Sequence, residues 1–345
     1  PGVARVAAEL LPRLEAAGHV PLVPAADERE RRWRHRELPR LERELGLDGI
    51  LSLTSAFPLL PWGGKGLRIQ TVHELPWRHG VTENAGRGHR LWARHGRRRA
   101  DLVLVPSARV LADLEDHAPA AAAKARVLAW GVAAPFTDPP TEAQAQADAE
   151  HLTGLGLDPD LPFVLVPGGA RPKKRVDLVI QGAAALGKAA PHVLVTGPVD
   201  LGSDHLAATL RLARTLGTAE RLRFLGPVDE PVLAALYRAA LAVCVLSDSE
   251  GFGLGALEGL ACGAPVLVPA GSAQAEVLGD LALPFPRRLT PSSPEAVHEA
   301  LVELAAARGT AAEAERRARR RREAAARTWD RTAEDLQGLL DSIRP

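Results

Sequence analysis

Residues 241–269, LAVCVLSDSEGFGLGALEGLACGAPVLVP, prescribe a short strand, a glycine-rich loop, a helix and a following strand. LAVCVL is apolar and rich in β-branched residues, and Ser247 to Gly253 is the turn after it. Leu254 to Cys262 reads as the helix. Gly263 can take the left-handed conformation that closes it, and Pro265 prevents its continuation before the strand PVLVP. A strand and glycine loop leading into a helix gather unpaired backbone N–H groups at the positive end of a helix dipole, an arrangement suited to an anion such as a diphosphate. Gly251 and Gly253 let backbone come close. Glu250 sits in the loop and Glu258 about 6 Å further along the helix axis. Carboxylates only accept hydrogen bonds, so the two suit vicinal hydroxyl pairs, on a hexose and on a ribose respectively. An arbitrary pair of glutamates is most often a pair of solvated surface acids; here the whole pattern argues for a site.

The segment resembles the E-x7-E signature of the family 4, group 1 type glycosyltransferases. That resemblance implies an α/β GT-B fold, with two facing Rossmann-like doubly wound domains and a C-terminal helix crossing back to the N-terminal domain. By position it assigns Glu250 to the transferred sugar, Gly251, Phe252, Gly253 and Leu254 to the sugar and phosphate, and Glu258 to the nucleotide ribose. FVLVPGGARPKKRVDLVIQGAAAL (163–186) resembles the first strand, basic loop and helix of the family's C-terminal domain and places Gly168, Gly169, Arg171 and Lys174 in the donor loop. Lys174 falls on the diphosphate-binding lysine, where an ammonium would neutralise charge developing on the leaving group. Many members have an arginine where Gly169 stands; Arg171 and Arg175 are the candidates to supply that charge. Taken singly, a lysine in a polar loop is usually a solvated surface charge.

PHVLVTGPV (191–199) and RLRFLGPVDEPVLAALYRAALAVCVLS (221–247) add strands that leave through glycines. Loops at the carboxyl ends of parallel strands line the ligand crevice, so Gly197, Gly226 and Val228 are expected in the nucleotide pocket, although such glycines also simply make turns. GSAQAEVLGDLALPF (271–285) resembles the family segment ending in a glutamate before a glycine, here Glu276, with its role left open.

The 345 residues accommodate two domains of ordinary size. The expected division is an N-terminal domain over 1–136, a linker with a short helix over 137–160, a nucleotide-sugar domain over 161–315 and crossing helices over 316–345. The tail from 311 is helical in propensity throughout, with Trp329, Leu336, Leu339 and Leu340 as its apolar stripe. The resemblance places a tryptophan helix on the N-terminal domain, and Trp329 fits it.

GVARVAAELLPRLEAAGH reads as an amphipathic helix with Val3, Val6, Leu10, Leu11 and Leu14 on one face, ending at Gly18. In the family this helix follows a strand and a glycine-rich acceptor loop, so residues upstream of Pro1 are expected to contribute to the site. RIQTVHELPWRHG (68–80) resembles the strand and loop that carry a histidine followed by an acid, here His73 and Glu74. His73, at a strand's carboxyl end, is the N-terminal residue assigned to sugar or acceptor, though loop histidines often have no catalytic task. ADLVLVPSARVLADL (100–114) and ARVLAWGVAAPF (125–136) resemble the strand, helix and strand that close this domain. His79, His89 and His95 lack a metal-ligand spacing, and neither a metal nor another cofactor is expected. PWGGKG (61–66) lacks the rest of a phosphate-binding P-loop and reads as a connection.

Two cysteines, Cys244 and Cys262, fall in a strand and a helix and read as buried small apolar residues, which favours the cytoplasm. No uninterrupted apolar run reaches about 18 residues. A net charge of +1 conceals a basic first hundred residues, with 18 Lys and Arg against 11 Asp and Glu. The run RGHRLWARHGRRR (87–99) reads first as a solvated arginine-rich face, and second as a surface for anionic lipid or an anionic acceptor. Nucleic-acid binding fits the charge alone and has no motif behind it.

The resemblance implies transfer of a hexose from a nucleotide-diphosphate sugar to a hydroxyl acceptor with retention of configuration. The leaving phosphate would help deprotonate the acceptor, because no nucleophile pair of the hydrolase kind is visible. The basic loop PKKR resembles members that use GDP-mannose, with UDP-glucose and UDP-N-acetylglucosamine behind it. The alternatives are a nucleotide-sugar-binding GT-B protein without transferase activity, a UDP-sugar epimerase, and a starch- or glycogen-type synthase, against which the short N-terminal domain argues.

Overall fold

A computed structural model describes residues 2–22, 36–54, 66–81, 90, 98–139, 141–158, 160–282, 288–289 and 293–343. The connection 61–65, the run 87–97 apart from Arg90, and with it His89 and His95, lie outside the described residues. The chain forms two compact units, one of Pro1–Gly131 with Trp329–Pro345, the other of Val132–Thr328.

The first unit holds a parallel sheet in the order β1 (Gly49–Ser52), β2 (Leu67–Thr71), β3 (Leu102–Val105) and β4 (Ala125–Val127). Every residue of LVLV in β3 is buried, as expected of a strand covered on both faces. Helix α1 (Gly2–Ala16), α2 (Leu38–Glu44), α3 (Ala108–His117) and the short α4 (Pro119–Ala122) accompany the sheet. Ser107 starts α3 by accepting from the Val110 amide, and Val110 and Leu114 then join Val72, Leu75, Val103 and Val105 in the core. In α1 the buried stripe is Val6, Leu10 and Leu14. Val3, expected on that face, is 39% exposed, and Leu11 is only half-buried. The i, i+4 row of three residues suffices to cover the contact, and Leu11 stands a full 100° from Leu10.

The second unit contains α5 (Glu142–Gly154), β5 (Phe163–Pro167), α6 (Val176–Ala184), β6 (His192–Thr196), α7 (Asp204–Thr215), β7 (Leu222–Gly226), α8 (Glu230–Ala239), β8 (Ala242–Cys244), α9 (Leu254–Ala261), β9 (Val266–Pro269), α10 (Ala273–Leu278), β10 (Arg288–Leu289), α11 (Pro294–Ala307) and α12 (Ala311–Ala325). Its strands are parallel and run β10-β9-β8-β5-β6-β7. The order reverses between β5 and β8, and the carboxyl ends of strands at such a switch point are where α/β sheets of this kind place a ligand crevice. Val164, Val166, Val179, Val195, Cys244 and Leu267 belong to the apolar core beneath it. Both cysteines are free and buried, and burial pushes each thiol up to about 12.

The tail is not one helix. α12 ends at Ala325 and α13 (Trp329–Ile343) begins after a break in which Arg327 O accepts from the Val132 amide at 2.8 Å and Thr328 bridges Val132. A strand-like pairing competes successfully with helix propensity there, because it satisfies backbone groups that the crossing chain would otherwise leave unpaired. α12 stays with the second unit, where Arg320 reaches Gly263 O at 3.0 Å and Glu313 at 2.8 Å. α13 packs on the first unit. Arg13 donates to Asp330 at 2.6 Å, Thr332 donates to Ala129 O at 2.9 Å, and the Trp329 ring stacks over Trp130 at 6.2 Å. Its buried stripe is Trp329, Thr332, Leu336 and Leu340, with Leu339 turned partly outward.

Candidate functional site

Three loops that leave β5, β6 and β7 are bound together by backbone. Gly168 and Gly169 both donate to Thr196 O, at 3.0 and 2.7 Å, Ala170 donates to Pro198 O at 3.2 Å, and Gly197 donates to Gly226 O at 2.7 Å. Gly169 has φ +95, and a Cβ there would stand 2.5 Å from Pro198 O; at Gly197, with φ +104, it would stand 2.6 Å from Gly169 N. No side chain fits at 169, so the arginine that the family resemblance put there has no place in this loop packing. Gly226, with φ +69, meets open space instead and serves a turn, while Val228 is half-buried just beyond it.

Arg171 follows, its guanidinium 3.4 Å from Gly168 O. The next turn, Pro172–Lys174, brings two lysines inward, with Lys173 at 6% and Lys174 at 8% exposure. The Lys174 ammonium lies over Gly168, whose missing Cβ would be 2.9 Å from Nζ. It donates to Glu250 Oε1 at 2.6 Å. Burial alone would raise the Glu250 carboxyl, but the charges of Lys174 and Lys173 and the hydrogen bond from Lys174 outweigh it and hold the group at about 2. The carboxylate is therefore ionised at every physiological pH.

The two loops at the β5/β8 crevice are also joined directly, because the Asp248 amide donates to Lys173 O at 2.9 Å. Arg175 takes a left-handed conformation, φ +50, and its guanidinium is held by Asp177 at 3.0 Å and Asp248 at 3.4 Å. Its charge is thus already engaged. Of the two candidates to replace the missing arginine, Arg171 is the one whose guanidinium lies by the glycine loop. Together Arg171, Lys173, Lys174 and Arg175 face Asp177, Asp248 and Glu250, an excess of positive charge suited to an anionic ligand.

Gly251, Phe252 and Gly253 are buried and lead into α9. Gly253 is the N-cap at φ +88, and no side chain caps the helix, so Leu254 and its neighbours present backbone amides at the positive end of the dipole. A Cβ on Gly253 would strike Gln274 Cγ at 2.5 Å. Gln274 is fully buried, and neither atom of its carboxamide has a hydrogen-bond partner among the described residues. Glu258, 8% exposed, accepts from the Tyr237 hydroxyl at 3.2 Å. Glu276 lies in the first turn of α10, which Ser272 caps.

Gly168, Gly169, Arg171, Lys174, Gly197, Gly226, Val228, Glu250 to Leu254 and Glu258 thus all lie in the second unit, on loops at the carboxyl ends of β5 to β8 or on the helix that follows. His73 belongs to the first unit, just past β2. Its Nε2 donates to Leu53 O at 2.7 Å, its ring is 5.9 Å from Trp130, and burial lowers its pKa despite that backbone bond. One ring nitrogen is committed to structure, leaving Nδ1 as an acceptor on a neutral imidazole. His79 is paired with Asp113 at 2.7 Å. Sequence reasoning passed over Lys173, Tyr237 and Gln274; the signal available was only a second lysine beside Lys174 and a lone tyrosine in an apolar helix.

A reversed parallel sheet with basic and glycine loops at its switch point in one unit, and a second parallel sheet in the other, define a GT-B type α/β protein. The solved structures agree: a glycosyltransferase from Rickettsia africae matches with a TM-score of 0.77 at 14% identity, covering 99% of this chain and 95% of that one. WaaG, a glycosyltransferase involved in lipopolysaccharide biosynthesis, matches at 0.69 and 17%, covering 97% and 95%. The chain belongs to the glycosyl transferases group 1, whose family profile matches residues 148–323. The D-inositol 3-phosphate glycosyltransferase of Rhodococcus opacus is 35% identical over 220 residues, 62% of this chain and 47% of that protein. That of Frankia alni is 40% identical over 129 residues, 35% of this chain and 32% of the relative. The matches therefore span less than half of these curated relatives.

Proposed function

We propose that this chain transfers a hexose from a nucleotide-diphosphate sugar to a hydroxyl acceptor with retention of configuration, as a family 4 enzyme. The observation that carries the reading is the Lys174–Glu250 pair beside the uncapped start of α9, in the crevice between β5 and β8. In this reading Lys174, with three N–H donors, keeps Glu250 and also meets the diphosphate, while the α9 amides take its remaining oxygens. Glu250 accepts from the sugar and Glu258 from the ribose. His73 serves the acceptor side as a neutral hydrogen-bond acceptor. The leaving phosphate takes the proton of the attacking hydroxyl, the glycosidic bond to the diphosphate breaks, and the new one forms on the same face. No metal is invoked, so chelation should leave transfer unchanged.

GDP-mannose is the first donor to test, on the PKKR loop, with UDP-glucose and UDP-N-acetylglucosamine next. An inositol phosphate is the first acceptor, because the curated relatives carry that name. The protein is assigned to the cytoplasm, and contact of the basic run 87–99 with anionic lipid is tested by vesicle flotation. None of the described helices is long and apolar enough to cross a membrane.

The deciding experiment is a thermal-shift panel of GDP, UDP, ADP and their sugars, followed by radiolabelled transfer with the donor found. A ligand at about 100 times its dissociation constant stabilises by roughly 2.7 kcal/mol, an easily measured shift. One nucleotide should raise the midpoint of the wild type and fail with Glu258→Ala; silence across the panel would remove the reading. Binding without transfer to any acceptor would favour the non-catalytic alternative.

A further inference from the structure

Tyr237, in α8, is fully buried and is the only tyrosine in the chain. Its hydroxyl donates to Glu258 Oε2 at 3.2 Å. The slot that holds it is shaped by two glycines of α9: a Cβ at Gly255 would stand 3.2 Å from the phenol oxygen, and one at Gly259 would stand 3.5 Å from Cδ1. Phe136 packs edge-on against the ring at 5.9 Å. The adjacent Arg238 clamps α8 in place through two bonds to Asp148, at 2.6 and 2.8 Å, and one to Pro135 O at 3.0 Å. The phenol is thus confined on every side that these contacts define, and its hydroxyl points at one oxygen of a carboxylate that is itself nearly buried.

A glutamate side chain on a helix has three rotatable bonds, and gripping a ribose diol requires its carboxylate plane to be set beforehand. Anchoring Oε2 to a rigid donor sets that plane, and a carboxylate retains acceptor capacity beyond one bond. We propose that Tyr237 is a positioning residue for ribose recognition, presenting the Glu258 carboxylate to the 2′- and 3′-hydroxyls of a nucleoside diphosphate. The inference rests on the nucleotide-site reading above and goes beyond it by assigning the group that orients Glu258.

The test compares wild type and Tyr237→Phe by calorimetric titration with the nucleoside diphosphate that the wild type prefers and with its 2′,3′-dideoxy counterpart. Loss of a charge-assisted bond should weaken ribonucleotide binding about tenfold and leave the dideoxy affinity within about twofold. A merely structural role would weaken both alike, which overturns the proposal. Incorporation of 3-fluorotyrosine into the wild-type sequence supplies a second readout that needs no variant, because one tyrosine yields one 19F resonance. That resonance should shift with the ribonucleotide and stay in place with the dideoxy form; equal shifts overturn the assignment. A wild type that binds no nucleotide removes the site reading and this inference together. A wild type that prefers the ribonucleotide, with Tyr237→Phe retaining the whole preference, overturns the role of Tyr237 alone.

Discussion

Lys174 Nζ lies 2.6 Å from Glu250 Oε1, joining the loop after β5 to the loop after β8 across the point where the sheet order reverses. The pair does two things. It neutralises a carboxylate that burial would otherwise push towards protonation, and in the proposed reaction it supplies the ammonium that meets the donor diphosphate. Lys174→Ala should therefore lower kcat of sugar transfer by about 100-fold to 1,000-fold, with a smaller effect on KM. Steady-state kinetics on a folded variant check it; an unchanged kcat would discard the role.

Acid stability should report the same pair. The folded carboxyl of Glu250 sits at about 2, below its ordinary 4.5, so its contribution is fully present above 4.5 and is lost as pH falls towards 2. Urea midpoints measured from pH 6 to pH 3 should decline less steeply for Glu250→Gln than for wild type. Parallel declines would show that the pair contributes nothing.

His73 should stay neutral to a lower pH than an ordinary imidazole. Burial lowers its folded pKa from 6.5, so stability is gained above 6.5 and lost as pH falls through the lowered folded value, where the unfolded chain binds the proton first. NMR titration should give a midpoint below 6.5 and the Nε2–H tautomer required by the bond to Leu53 O. An Nδ1–H tautomer would contradict that bond.

Two glycines that both have positive φ, +95 at Gly169 and +69 at Gly226, should respond differently to alanine. Gly226→Ala meets only the left-handed backbone cost, about 1 kcal/mol. Gly169→Ala adds a Cβ 2.5 Å from Pro198 O and should cost at least about 2 kcal/mol, because two strand-end loops must separate. Chemical denaturation of both variants decides between a packing requirement and a simple turn.

Gln274→Leu should raise stability by about 1 kcal/mol, because it removes a buried carboxamide whose two polar atoms find no partner among the described residues. A lower denaturation midpoint would mean that the amide is satisfied in solution.

Much of the second unit was legible because its signals are local. FVLVP, HVLVT and VLVP became β5, β6 and β9 nearly as their apolar runs suggested, and α9 ends at Ala261, one residue short of the expected Cys262, which is its C-cap, with Gly263 at φ +83. The helical tail was less legible. Propensity from 311 onward is continuous, yet the chain breaks at 326–328, where Val132 offers a backbone partner from far away in sequence. In α1 a five-residue apolar face narrowed to Val6, Leu10 and Leu14, because only the surface it meets decides how wide a buried stripe becomes.

By itself the amino-acid sequence determined the order of strands, loops and helices and the positions of the glycines at their junctions, since side-chain period and turn chemistry act over a few residues. Only the tertiary structure decided who meets whom. Pairing of β5 with β8 brings together Lys174 and Glu250, 76 residues apart. The slot left by Gly255 and Gly259 admits Tyr237 to Glu258, and the backbone of Pro198 rules out any side chain at Gly169. Those contacts depend on the simultaneous packing of a six-stranded sheet, and no local pattern encodes which buried charge will find which partner across it.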